Sequence, residues 1–242
     1  MLSEKPWRPE AVMQLCATQI VCLCLGGVIV FLLHKLGVTG FKHDESFGSI
    51  LAGTLCFQGA TWPLILFFLR QHQVGWREAF GFRGPKLTRA LLTAIGFIMV
   101  VLPVVLLLKY TSIYALEKFG FPSGDQAAVK LLTDAKSVWT TVYLGVFAVV
   151  LAPVAEEFIF RGMLFPFVKQ LGFPKLAWIG VSFLFALIHL NASTLLPLFV
   201  FALALTWLYD KTDNLLAPIT AHALFNASNL VFLLWQNRPS HA

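Results

Sequence analysis

The chain has 242 residues, of which 58% are hydrophobic and 12% are charged, and its mean hydropathy is +0.77. Soluble domains carry about 25% charged residues, so this composition excludes an ordinary water-soluble fold. The net charge of +6 comes from Lys and Arg in the connecting loops, without a long basic run, which indicates a membrane surface and no nucleic-acid partner.

Apolar segments dominate the chain, and about 20 such residues suffice to span a bilayer. Inside lipid the backbone must satisfy its own hydrogen bonds, and the segments show no β-type alternation, so we predict helices. The predicted helices cover residues 11–36, 48–70, 88–108, 137–170, 175–190, 193–209 and 215–235. The expected fold class is all-α, a polytopic transmembrane helical bundle of about seven spans, or eight if residues 111–136 also enter the membrane.

Polar residues and prolines mark the connections between these helices. Residues 1–10 are predicted to form a short polar tail, and residues 71–89 form the most basic connection, with a turn at 81–85. Residues 125–135 are predicted to form a short interfacial helix, because their apolar side chains share a face. An extension of the third helix towards Lys118 is also compatible with the sequence. Prolines are expected to bend the second and fourth helices, at Pro63, Pro153 and Pro166.

Three charged residues lie together in the fourth predicted helix: Glu156, Glu157 and Arg161. One charge at the bilayer centre costs about 2.5–3.5 kcal/mol, so the group requires an explanation. Glu157 and Arg161 are i and i+4, which places them on one face as an ion pair. Glu156 points about 100° away around the helix and is expected to lack a partner there.

Two further i,i+4 pairs of polar or aromatic residues occur in the later helices, Phe185 with His189 and His222 with Asn226. Counted from the turn between the fourth and fifth helices, Glu156 and His189 lie about 14 and 15 residues away, so they are level in an antiparallel pair. A carboxylate and an imidazole can activate a water molecule. A second imidazole with a carboxamide can stabilise an oxyanion, so these groups suffice for peptide-bond hydrolysis.

Together the three motifs resemble those of the CPBP family of intramembrane proteases. That family contains the type II CAAX prenyl endopeptidases and bacteriocin-processing or immunity proteins. The resemblance covers roughly residues 138–235, with the order and spacing of the motifs intact. The motifs are Glu156-Glu157-x-x-x-Arg161, Phe185-x-x-x-His189 and His222-x-x-x-Asn226.

The resemblance implies a catalytic role for four residues: Glu156 and His189 activate the water, while His222 and Asn226 stabilise the oxyanion. Supporting roles fall to Glu157, Arg161 and Phe185. The implied partners are the lipid bilayer and a peptide or lipidated protein substrate. The chain would then be an integral, multi-pass membrane protein, in the plasma membrane if its host is bacterial.

The resemblance also divides the chain into two parts of one membrane domain. Residues 1–136 are interpreted as N-terminal transmembrane helices with an amphipathic connection, and residues 137–236 as the catalytic helical core. The amino-terminal half carries no further matching motif beyond its turn at 80–83. The Lys and Arg bias of the short loops favours a cytoplasmic amino terminus.

Members of the family are often named metalloproteases, and one Glu with two His can form a zinc site. Glu156, His189 and His222 are the candidate ligands of such a divalent metal. The His-Glu-x-x-His helix typical of zinc proteases is missing, so metal-independent hydrolysis is favoured. Two alternative functions stay open: a catalytically silent interaction or immunity protein that sequesters a peptide, and a proton-coupled transporter. The transporter predicts inverted internal repeats, which the sequence does not show.

Overall fold

The structure is a computed structural model that describes residues 2–41, 46–82, 85–122, 127–135 and 137–236. Within these ranges the regular structure is entirely helical, so the predicted all-α fold class is confirmed. The α-helices are α1 (Pro9–Lys35), α2 (Phe47–Thr54), α3 (Ala60–Gln71), α4 (Trp76–Ala79), α5 (Pro85–Lys118), α6 (Ala127–Asp134), α7 (Val138–Val146), α8 (Ala152–Glu157), α9 (Phe165–Gln170), α10 (Pro174–Leu187), α11 (Ala192–Thr212) and α12 (Leu216–Gln236). Wider π-helical segments occur at Leu55–Gly59, Phe147–Leu151 and Phe158–Leu164.

Six helices of the described chain are long and apolar enough to cross a membrane. They are Pro9–Lys35, Phe47–Gln71, Leu87–Lys118, Val138–Gln170, Ala192–Thr212 and Leu216–Gln236. Many large apolar side chains on their outer faces are exposed, as expected where lipid replaces water. The chain is therefore an integral, multi-pass membrane protein.

The fifth predicted helix forms, but it is shorter than the sequence suggested. It ends at Leu187 instead of 190, and its 14 residues rise by only about 21 Å, less than the roughly 30 Å of a hydrocarbon core. Because the helix stops early, His189 lies just beyond its carboxyl end. The next helix, α11, then starts with Asn191 as its N-cap, whose side chain accepts a hydrogen bond from the Thr194 amide.

The helices expected to bend at prolines contain π-helical turns just before those prolines. Proline has no N–H, so it cannot donate to the carbonyl four residues earlier, and the preceding turn widens. In Val138–Gln170, which we call the Glu156 helix, two such segments occur, Phe147–Leu151 before Pro153 and Phe158–Leu164 before Pro166. In the second span, Leu55–Gly59 precedes Pro63.

Most of the tail predicted at residues 1–10 precedes helix α1, which begins at Pro9. Residues 2–8, which we call the N-terminal segment, contact other helices: Trp7 packs on Phe68, and Gln170 donates to the Lys5 carbonyl. Trp7 is 7% exposed and Lys5 is 5% exposed. The sequence did not indicate this packing, because the partners of these residues lie far away in the chain.

The remaining connections agree with the sequence where they are described. Helix α5 continues to Lys118, the short helix α6 falls inside the predicted interfacial segment, and Gly172 turns the chain with a φ of 91°. Residues 42–45, 83–84, 123–126 and 136 lie outside the described residues, so parts of the predicted loops and of the turn at 81–85 are among them.

Two buried apolar clusters hold the bundle together. The first joins the N-terminal segment, α1, α3 and α4 to the Glu156 helix and α10, and the second joins α5 to α11 and α12. Helices from residues 1–136 therefore pack directly on the predicted catalytic core. The division into two parts and the cytoplasmic amino terminus stay predictions.

Candidate active site

Glu157 and Arg161 form the predicted ion pair in the Glu156 helix. Arg161 Nη1 lies 2.8 Å from Glu157 Oε1, and both side chains are 0% exposed. Arg161 also donates from Nη2 to the Ala202 carbonyl at 3.2 Å and from Nε to Thr206 Oγ1 at 3.4 Å. A buried charge pair is tolerated when further hydrogen bonds satisfy it, and α11 supplies them here.

Phe185 lies under the guanidinium of Arg161. The Arg161 Cζ atom is 4.6 Å from the Phe185 ring centroid, a cation–π distance, and Phe185 is 0% exposed. The same ring packs 4.9 Å from His189 and 5.7 Å from His222, centroid to centroid. The sequence placed Phe185 on the same helix face as His189. The structure adds contacts of the Phe185 ring with Arg161 and His222.

His222 on α12 contacts both acids of the first motif. Its Nδ1 lies 2.9 Å from Glu157 Oε1, and its Nε2 lies 3.9 Å from Glu156 Oε2. Nδ1–H of His222 donates a hydrogen bond to the Glu157 carboxyl oxygen, which leaves Nε2 directed at Glu156. His222 is 4% exposed, so Glu157 fixes the orientation of the ring in a site with little access to water.

Glu156 is the more accessible of the two acids, with 13% of its side chain exposed. It lies within electrostatic reach of four charged or titratable groups: His222, His189, Glu157 and Arg161. The ionic contact that the structure gives it is with His222, from another helix, in line with the expected lack of a partner in its own helix. Helix counting placed Glu156 level with His189, because it measures depth along the bundle and not which neighbouring helix a side chain faces.

His189 follows the end of α10 and is half-buried. Its Nδ1 lies 2.7 Å from the Phe185 carbonyl oxygen, a contact in which Nδ1–H donates. The other nitrogen, Nε2, is then the basic one. The Phe185 carbonyl near the end of α10 thus orients the His189 ring. His189 also lies within electrostatic reach of Glu156.

Asn226, which shares a face of α12 with His222, forms a hydrogen bond to the Glu156 helix. Its Nδ2 donates to the Ala148 carbonyl in the π-helical segment Phe147–Leu151, at 2.7 Å. This carbonyl lacks a helical donor, because the Ala152 amide already donates to Phe147 and the next residue is Pro153. The amide nitrogen has two hydrogens, so one is still available for another acceptor.

The described residues do not present a metal site. No group of three or more His, Cys, Asp or Glu side chains in the described ranges is arranged to hold a metal ion, and Glu156, His189 and His222 are all described. One nitrogen of each histidine is occupied by a carboxylate or a carbonyl. The donor set proposed from the sequence therefore does not converge on one point in this structure.

Sequence reasoning missed Thr206 as a member of the site. This residue lies on α11, is fully buried, and contacts both Arg161 Nε and Ser182 Oγ. The available signal was a hydroxyl residue within a strongly apolar span, which requires a polar partner in the bundle interior.

An open apolar groove of about 350 Å³ lies beside the Glu156 helix. None of the four residues proposed as catalytic lines it, but Phe158 directly follows Glu157, and Ile219 lies on α12 one turn before His222. Its aromatic and aliphatic lining consists of Trp62, Trp76, Phe82, Val154, Phe158, Leu216 and Ile219.

Comparison with known proteins identifies one family and one relative. Residues 138–228 match the family described as type II CAAX prenyl endopeptidase Rce1-like. The UPF0177 protein YxdF of Lactococcus lactis subsp. lactis (strain IL1403) is 32% identical over 78 residues, which are 32% of this chain and 42% of that protein. The chain thus spans about two fifths of the length of this relative. No solved structure matches the chain.

The matched segment contains all three motifs and most of the geometry described above. Glu157, Arg161, His222 and Asn226 lie inside it, as do the α10 and α11 residues around them. The resemblance that the motifs predicted is therefore confirmed over residues 138–228, the segment that matches the Rce1-like type II CAAX prenyl endopeptidases.

Proposed function

We propose that this chain is an intramembrane endopeptidase that hydrolyses a peptide bond with a water molecule activated by Glu156 and His189. One observation carries the proposal: His222 contacts both Glu156 and Glu157 at a buried site inside the segment that matches an endopeptidase family. A carboxylate with imidazoles around it can act as the general acid and base in hydrolysis.

In the proposed first step, the oxygen of the water molecule bonds to the carbonyl carbon of the substrate. Glu156 takes one proton from the water, and the basic Nε2 of His189 accepts a hydrogen bond from the same molecule. The carbonyl π electrons move onto oxygen and form an oxyanion. The proton then passes from Glu156 to the amide nitrogen as the carbon–nitrogen bond breaks, which releases an amine and a carboxylic acid.

The oxyanion is stabilised by His222 and Asn226 in this proposal. With a proton on each ring nitrogen, His222 donates from Nδ1 to Glu157 and from Nε2 to the developing charge. Asn226 offers the hydrogen of Nδ2 that Ala148 does not use. Glu157 and Arg161 would then act through His222 and not on the substrate.

The substrate class that fits is a membrane-associated protein processed near a lipidated carboxyl terminus, as the name of the matched family suggests. The apolar groove beside Phe158 offers a surface for a hydrophobic part of such a substrate next to the acids. No step of the proposed reaction requires a metal ion, and the candidate ligands do not converge.

The test is a cleavage assay with purified full-length chain in lipid nanodiscs and a farnesylated peptide ending in Cys-aliphatic-aliphatic-X. We expect the wild-type chain to cleave the peptide, as detected by mass spectrometry, and Glu156→Gln to lose at least about 10²-fold in rate. The matched control is Glu10→Gln, which removes an exposed acid on α1 and should leave the rate unchanged.

Two outcomes would contradict the proposal. Binding of the peptide by wild-type protein without cleavage would favour the catalytically silent interaction protein. Cleavage that survives Glu156→Gln would exclude this acid as the base and make Glu157 the next one to test.

A further inference from the structure

Each π-helical segment in the described chain has a backbone carbonyl that accepts a hydrogen bond from a side chain elsewhere in the protein. In the Glu156 helix the accepting carbonyls, those of Ala148 and Gly162, stand five and four residues before a proline, which has no N–H to donate to them. The three contacts are Gln19 Nε2 to Phe57 O at 3.2 Å, Asn226 Nδ2 to Ala148 O at 2.7 Å, and Trp7 Nε1 to Gly162 O at 3.1 Å.

The third contact concerns the turn that carries Arg161. In Phe158–Leu164, which we call the Arg161 turn, the Phe165 amide donates to the Phe160 carbonyl in π-helical register. In a regular helix the Gly162 carbonyl would accept from residue 166, but Pro166 has no N–H. The buried Gly162 carbonyl thus lacks its regular helical donor, and Trp7, which lies outside the segment that matches the family, donates to it.

Trp7 is held firmly in this position. Its ring is 5.1 Å from that of Phe68 and 6.4 Å from that of Phe80, centroid to centroid. Phe80 also covers Gly162, where a Cβ atom would come within 3.0 Å of the Phe80 ring. Lys5, two residues before Trp7, is anchored by an ion pair with Asp213 at 3.0 Å.

We propose that Trp7 is a positioning residue for the active site. Its indole N–H occupies the Gly162 carbonyl, holds the Arg161 turn in its wide form, and so keeps Arg161 against Glu157, the acid that orients His222. The structural part of this proposal stands on the contacts alone, and its effect on turnover rests on the proposed peptidase function.

The structural part is tested by hydrogen–deuterium exchange of full-length chain in nanodiscs. Trp7→Phe keeps an aromatic ring and removes the N–H, and we expect backbone amides in residues 158–165 to exchange roughly tenfold faster or more. Trp178→Phe is the matched control, because Trp178 Nε1 also donates to a backbone carbonyl, that of Leu203, at 2.9 Å. That carbonyl lies within α11, where residue 207 has an N–H, so no change in residues 158–165 is expected.

A second substitution separates the hydrogen bond from the volume of the ring. Replacement of Trp7 by β-(3-benzothienyl)alanine exchanges the indole N–H for sulfur and keeps the bicyclic shape. It should reproduce the faster exchange of Trp7→Phe, and it remains available if Trp7→Phe does not fold. Unchanged exchange in both variants, or an equal change in Trp178→Phe, would overturn the proposal.

The kinetic readout separates positioning from general stability. On the farnesylated peptide we expect Trp7→Phe to lower kcat by roughly tenfold and to change KM by less than about twofold, because the turn affects the reacting groups and not the binding surface. Faster exchange with unchanged kcat would reduce Trp7 to a structural residue. A wild-type chain without activity would refute the proposed function, while the exchange data would still decide whether Trp7 holds the turn.

Discussion

At the scale of single residues, the site is organised around one oxygen atom of Glu157. Its Oε1 accepts from Arg161 Nη1 and from His222 Nδ1, whereas its Oε2 has no hydrogen-bond partner among the described residues. Because the carboxylate lies between a guanidinium and an imidazole, it neutralises one and orients the other. The sequence had identified only the first of these two contacts.

Glu157→Gln should therefore lower stability as well as activity. The substitution leaves the fully buried Arg161 without its counter-ion, a change that typically costs about 3–5 kcal/mol. We expect a lower Tm in thermal unfolding of the nanodisc-embedded protein. The double variant Glu157→Gln/Arg161→Met, which removes both charges, should recover part of the loss; a single variant with wild-type Tm would contradict this account.

Glu156 and His189 should behave as one unit in kinetics. If both act on one water molecule, Glu156→Gln and His189→Ala each cost about 10²–10⁴ in kcat, and the double variant is little worse than either single one. The measurement is a double-mutant cycle in the cleavage assay, with Tm recorded for each variant. Additive losses would indicate separate functions for the two residues.

At the scale of the helix, prolines and π-helical turns shape the Glu156 helix. Pro153 and Pro166 each follow a wide turn in the Glu156 helix, and the acids lie between the two turns, in α8. In each turn a carbonyl without its regular helical donor accepts a hydrogen bond from a side chain of another element. These hydrogen bonds connect the Glu156 helix to α12 and to the N-terminal segment.

Asn226→Ala should accordingly reduce both stability and rate. It removes the donor to the Ala148 carbonyl, at a cost of about 1–3 kcal/mol, and the proposed oxyanion donor, worth about 10²–10³ in kcat. Asn229→Ala is the matched control on the same helix, because Asn229 donates to the Phe225 carbonyl within α12 at 3.0 Å. Thermal unfolding and the cleavage assay check the two effects; equal behaviour of both variants would refute the assignment.

At the scale of the whole molecule, the amino-terminal part of the chain contacts the ends of helices in the segment that matches the family. Lys5 pairs with Asp213 between α11 and α12, and Gln170 at the end of α9 donates to the Lys5 carbonyl. Gly81 adds a second contact there, since its backbone packs so close to Asp213 that a Cβ would lie 1.9 Å from the Asp213 carbonyl oxygen. These contacts join segments more than 100 residues apart.

The ion pair between Lys5 and Asp213 should make the stability of the protein depend on pH in the acidic range. Burial raises the pKa of Asp213, but the hydrogen bond and charge of Lys5, with hydrogen bonds from Ser3, outweigh it and hold the pKa below its ordinary value of 3.8. A carboxyl group with a lowered folded pKa stabilises fully above its unfolded pKa and loses this contribution as pH falls through the folded value. Asp213→Asn should therefore lower Tm at pH 7 but have progressively less effect below about pH 4.

The matched variant for this prediction is Lys5→Met, which removes the other partner. It should lower Tm at pH 7 in the same direction, and adding Asp213→Asn to it should have little further effect. A Tm difference between Asp213→Asn and wild type that stays constant from pH 7 to pH 3 would contradict the assigned role of the pair.

Much of the fold and part of the site followed from local sequence patterns. The helical fold follows from long apolar segments, because lipid leaves the backbone no other way to satisfy its hydrogen bonds. The pair of Glu157 and Arg161 follows from i,i+4 spacing within one helix. The motif order likewise predicted the family that residues 138–228 match.

Only the tertiary structure decided which residues meet across helices. Helix counting set the depths of His189, His222 and Asn226, but the rotation of each helix about its axis determines that His222 faces both acids and that Asn226 reaches Ala148. Trp7 donates a hydrogen bond to the Gly162 carbonyl, which is more than 150 residues away in the chain. No local pattern encodes such a contact, because packing between distant segments creates it.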